Sequence, residues 1–86
     1  MHVLFSGRVQ GVGFRFTSES LANSLGIGGW VKNLPNGDVE IIAEGEEEDL
    51  KSFISRLDDS FADYVKNKDV VWEEPSSEFK EFGVRP

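Results

Sequence analysis

Two apolar alternating runs, Ile27 to Leu34 and Val39 to Ala43, are separated only by Pro35-Asn36-Gly37 and Asp38. Proline presets φ, asparagine tolerates a turn and glycine takes a left-handed position, so this connection has the chemistry of a hairpin. The two strands it joins are expected to be antiparallel neighbours. A helical pattern flanks the pair on each side. From about Gly13 to Leu25, Phe14, Leu21, Ala22 and Leu25 recur on one face before Gly26 ends the run. Leu50, Phe53, Ile54 and Leu57 make a second stripe at i, i+3, i+4 and i+7. Four consecutive acids, Glu46 to Asp49, open that second helix, where they complement its dipole. They lie on different faces of one turn and lack the loop glycine and spacing of a calcium site, which favours a solvated helix start over a metal cluster. Phe61 either extends the second stripe or caps the core from a loop.

The outer segments complete the order. His2 to Arg8 reads as a first strand, with Val3 and Phe5 alternating against Leu4. Lys66-Asn67-Lys68 reads as a polar connection, Val70-Val71-Trp72 as a fourth strand with Val70 and Trp72 on one face, and Phe82 to Arg85 as a short last strand. The sequence βαββαβ predicts an α+β, ferredoxin-like split βαβ sandwich: an antiparallel sheet in the order 4-1-3-2 with two helices on one face. Eighty-six residues make one domain, 1–86, with a single modest core.

Between the first strand and the first helix lies Gly7-Arg8-Val9-Gln10-Gly11-Val12-Gly13-Phe14-Arg15. Successive backbone N–H groups in a glycine-bearing turn form a concavity that attracts anions, and the helix start adds unpaired donors and the positive end of its dipole. Arg15 follows the loop, where a guanidinium can give two parallel hydrogen bonds to a phosphate or carboxylate. Asn33, at the end of the second strand, taken alone reads as a residue bonded to the turn.

This nonapeptide resembles the signature of the acylphosphatases, Gly-x-Val-Gln-Gly-Val-x-Phe-Arg, with every fixed position filled. A second element of that family, Trp-Val-x-Asn, is present as Trp30-Val31-Lys32-Asn33. The likeness runs on through Leu34-Pro35-Asn36-Gly37, Val39-Glu40 and Ala43-Glu44-Gly45. It lapses from Asp58 to Lys68, where the Gly/Pro-containing connection usual in the family is missing. The resemblance implies the same ferredoxin-like fold and hydrolysis of a small acyl phosphate to carboxylate and inorganic phosphate, the phosphate acting as product and inhibitor. It implies that the backbone N–H groups of Val9, Gln10, Gly11, Val12, Gly13 and Phe14, with the Arg15 side chain, hold the phosphoryl oxygens, and that Asn33 orients the attacking water. No cofactor and no metal is expected.

Composition narrows the alternatives. Without cysteine, thiolate metal sites, disulfides and a cysteinyl-phosphate mechanism are excluded. The net charge is −7. It is unevenly spread: residues 1–37 carry Arg8, Arg15 and Lys32 against Glu19, net +2, whereas residues 38–86 carry six bases against fifteen acids, net −9. So acidic a chain repels polyanions, and no nucleic-acid or membrane partner is expected. Gln10-Gly11-Val12-Gly13-Phe14 imitates an RNA-module aromatic motif only loosely, for Val12 replaces a stacking ring and the segment precedes a helix instead of lying on the third strand. No apolar stretch reaches membrane-spanning length, and a cytoplasmic monomer is expected. The single histidine, His2, has no carboxylate suggested beside it and reads as an exposed strand residue in preference to a general base.

Overall fold

A computed structural model describes residues 1–86. Its elements are β1 (His2–Gly7), α1 (Phe14–Leu25), β2 (Gly28–Asn33), β3 (Val39–Glu44), α2 (Glu47–Ser60), β4 (Val65–Val71) and β5 (Phe82–Val84). The sheet order is β4-β1-β3-β2-β5. Its first four strands pair antiparallel in the order expected from right-handed crossovers. β5 then joins β2 in parallel, with Gly29 opposite Phe82 and Val31 opposite Val84, so the sheet is mixed and not wholly antiparallel.

Alternation decides which face is covered. Val3 and Phe5 on β1, Val31 on β2, and Val39, Ile41 and Ala43 on β3 are fully buried, while their neighbours His2, Leu4, Trp30, Lys32, Glu40 and Ile42 are half-buried on the other face. Both helices pack on the first set through Phe14 and Ala22 of α1 and Leu50, Phe53, Ile54 and Leu57 of α2, the stripes read from the sequence. Phe14 is central to this core: its ring lies 4.8 Å from that of Phe5 and 4.6 Å from that of Phe61. Burying a phenylalanine stabilises by about 2–3 kcal/mol, so Phe14 fixes the start of α1 to the sheet beneath it. Phe61, the residue that caps α2, is buried and closes the core from the turn beyond the helix.

Three details differ from the sequence reading. β4 begins at Val65, so Lys66-Asn67-Lys68 is strand and not connection. β4 lies at the sheet edge, where polar side chains lose no solvent, and Lys68 bonds Asp58 of α2 at 2.5 Å. Trp72 falls just beyond the strand and is half exposed, but it lines one groove against α2 together with Val70. At His2 a carboxylate is present after all: Nε2 donates to Glu40 Oε2 at 2.8 Å across the open face of the sheet.

Candidate active site

β1 and β2 run in the same direction, each antiparallel to β3 between them, so the loop leaving β1 and the end of β2 lie at the same end of the sheet. His2 starts β1 and lies at the opposite end of that strand. Gly7 allows the first bend. Its φ is +120° and a Cβ there would overlap the Tyr64 carbonyl oxygen and lie 2.7 Å from Lys66 N, so this glycine serves the close approach of β1 to β4. Arg8 N donates to that same Tyr64 oxygen at 2.8 Å.

Beyond Arg8 the pairing stops. None of the backbone N–H groups from Val9 to Phe16 donates to an acceptor within the protein, and the next donor in the chain, Thr17 N, reaches Gly13 O at 3.0 Å. Gly11 and Gly13 have φ of +78° and +84°, the left-handed values that turn successive amides toward one side. Gly13 is the N-cap of α1, and no side chain caps that end. The loop and the first helical turn thus leave a run of free donors near the positive end of the dipole.

The loop is stitched to the hairpin by a side chain. Gln10 Nε2 donates to the carbonyl oxygens of Leu34 and Asp38, both at 2.9 Å, which ties the donor row to the end of β2. The hairpin is closed by its own bonds: Leu34 N to Asp38 O at 2.8 Å, Gly37 N to Leu34 O at 3.1 Å, and Asp38 N to Asn36 Oδ1 at 3.0 Å. Gly37 has φ +98°, the left-handed turn position expected of it. Asn33 takes no part in these bonds. Its Oδ1 is buried and has no hydrogen-bond partner in the protein, which removes the reading of Asn33 as a residue bonded to the turn.

A cleft of about 350 Å³ opens at this end of the sheet. Val9, Gly11, Gly13 and Phe14 of the donor row line it, and it brings Arg15 and Asn33 together. Gln10 and Val12 belong to the loop but not to the lining: Gln10 is turned to the hairpin and Val12 packs against the core. Arg15 is exposed and makes no ion pair. Three lining residues were not singled out as site residues from the sequence: Phe16, 75% exposed, Glu19, and Val84 from β5. The i+4 spacing from Arg15 to Glu19 could have signalled one of them, whereas Val84 arrives only through strand pairing.

These features define a class: a ferredoxin-like α+β protein whose strand-to-helix loop presents unpaired donors, one arginine and one amide to a common cleft. Comparison with known proteins agrees. The acylphosphatase family model matches residues 1–84. An acylphosphatase of a Roseiflexus species is 39% identical over 84 residues, covering 96% of this chain and 90% of its own length. That of Lactobacillus gasseri is 43% identical over 81 residues, covering 92% and 89%. The crystal structure of acylphosphatase from Bacillus subtilis superimposes with a TM-score of 0.89 at 32% identity, covering 99% of this chain and 96% of that one. The chain belongs to the acylphosphatase family.

Proposed function

We propose that the cleft binds a small acyl phosphate and hydrolyses it to a carboxylate and inorganic phosphate, with the N–H groups of Val9 to Phe14 and the Arg15 guanidinium on the phosphoryl oxygens and Asn33 on the attacking water. The observation that carries this reading is that Asn33, whose side chain makes no hydrogen bond within the protein, lines the same cleft as Arg15 and the free donors of the loop. A side-chain amide with no partner in the protein is available to hydrogen-bond a water in the cleft and to fix where that water's lone pair points.

The chemistry asks little more of the protein. Water oxygen attacks phosphorus as the bond from phosphorus to the acyl oxygen breaks, and the carboxylate leaves with that electron pair. Its conjugate acid is ionised at neutral pH, with a pKa of about 4, so the leaving carboxylate needs no proton from a general acid. The water proton passes to a phosphoryl oxygen and leaves on the phosphate product. Phosphoryl transfer depends mainly on positioning and on stabilising charge over the three equatorial oxygens, which preorganised amides and a planar guanidinium supply. His2, at the far end of β1, has no part in it.

The test is release of phosphate from acetyl phosphate by the purified chain. Saturable turnover, inhibited by inorganic phosphate and insensitive to EDTA and thiol-alkylating reagents, is expected. Saturable phosphate binding without turnover would make the cleft a small-anion binding site and overturn the enzymatic reading. Activity lost on chelation and restored by a divalent ion would overturn the metal-free mechanism.

A further inference from the structure

We propose that Glu19 sets the acyl-group preference of this cleft, disfavouring acyl phosphates whose acyl group bears a second negative charge and favouring those with a neutral or cationic one. The inference rests on the reading of the cleft as an acyl phosphate site. Glu19 is the only acid in the lining and, half-buried on α1, it forms no salt bridge with any base of the chain. Apart from Arg15, no base lines the cleft to offset its field toward a ligand. Arg15, one turn earlier on the same helix, is engaged by the phosphoryl group in the proposed complex and is unavailable to a second anion.

Position separates the two ends of the ligand. The donors proposed to hold phosphate end at Phe14, and Glu19 lies five residues on, about 7.5 Å along the helix axis at ~1.5 Å per residue. A phosphoryl group held by the donor row leaves its acyl substituent to extend along α1 between Glu19, the exposed Phe16 and the half-exposed Val84. The apolar pair offers contact to carbon. Glu19 alone responds to charge.

The experiment compares kcat/KM for acetyl phosphate, whose acyl group is neutral, with that for succinyl phosphate, which adds a carboxylate. Repulsion between two unit charges a few ångströms apart at a wet surface changes a rate constant about five-fold, and it weakens as salt shortens the Debye length. Glu19→Gln is expected to raise the succinyl-to-acetyl ratio about five-fold at low ionic strength, Glu19→Lys to raise it further, and Glu19→Asp to keep it near the wild-type value. Both gains should shrink toward one in ~1 M salt. A helix-stability effect of these substitutions would act on both substrates alike and cancel in the ratio. A ratio unchanged in Glu19→Gln and Glu19→Lys, with acetyl phosphate still hydrolysed, overturns the role of Glu19 and leaves the proposed function intact. A wild-type protein that hydrolyses neither substrate overturns both.

Discussion

Arg15 and Asn33 share a cleft but differ in what surrounds them, and the difference sets distinct expectations for their removal. Arg15 is exposed and unpaired, free to meet a ligand in ground and transition states alike. Arg15→Lys keeps the charge but loses the planar two-point contact, so phosphate inhibition should weaken and turnover should fall. Asn33 presents a buried acceptor instead. Asn33→Ala should lower kcat by ~100-fold or more, the usual loss for a well-placed catalytic group, while leaving the phosphate inhibition constant nearly unchanged. Its melting temperature should not drop, because Oδ1 makes no bond within the protein to lose. kcat, inhibition constant and melting temperature on the same three preparations decide the matter; an Asn33→Ala protein that melts early yet turns over normally would reassign Asn33 to the hairpin. Both residues could be singled out from sequence because the family signature marks them. The free state of Asn33 could not, since it depends on Gln10, Asn36 and Asp38 supplying the bonds of the loop and hairpin.

At the scale of elements, the close packing of β2 against β3 rests on Gly29. Its φ is +138° and a Cβ would overlap the carbonyl oxygen of Ile42 on the neighbouring strand. Gly37 has a similarly left-handed φ, +98°, but open space around it. The pair separates clash from strain. Gly37→Ala should cost about 1 kcal/mol from the backbone alone, lowering the melting temperature by about 4–8 °C, whereas Gly29→Ala adds overpacking to strain and should cost about 2–5 kcal/mol. Thermal melts followed by circular dichroism test this, and equal losses would mean that β2 and β3 separate readily. Elements with a buried stripe were legible in the sequence: α1, α2 and β3 each repeat their apolar residues at the period of their backbone. β4 was legible only at its end. As an edge strand it exposes Lys66, Asn67 and Lys68, which removes the alternation that identifies a strand. The parallel pairing of β5 with β2 was not legible at all, since three residues carry no periodicity and each partner lies 53 residues away.

Across the whole molecule, β5 reaches the site only after the chain has crossed from one edge of the sheet to the other. Residues 72–81 form this crossing without helix or strand, and they are fastened near its middle by Ser76, whose N and Oγ both donate to Glu44 Oε1 on β3. At the end of the crossing Gly29 N donates to Glu81 O, and past β5 the Arg85 guanidinium lies 4.9 Å from the Trp30 ring, so β5 is secured on both sides. The Ser76 hydroxyl, then its backbone N–H, hold the Glu44 carboxyl below its ordinary value of 4.5, outweighing a small opposing effect of desolvation. A carboxyl depressed in the folded state binds its proton more readily when unfolded. Its contribution to stability is therefore present above about pH 4.5 and is lost as pH falls through the lower folded value. Because many other acids titrate in the same range, the informative quantity is a difference. The melting temperature of the wild type should exceed that of Glu44→Gln by a constant margin from pH 7 to 5, and the margin should close as pH drops below about 4.5. Glutamine retains an acceptor for Ser76 but no charge, so the variant isolates the charge from the hydrogen bond. Proteolytic cleavage within 72–81 should rise over the same interval in the wild type and vary less in the variant. A margin that persists unchanged to pH 3 would show that the ionised Glu44 does not hold the crossing in place.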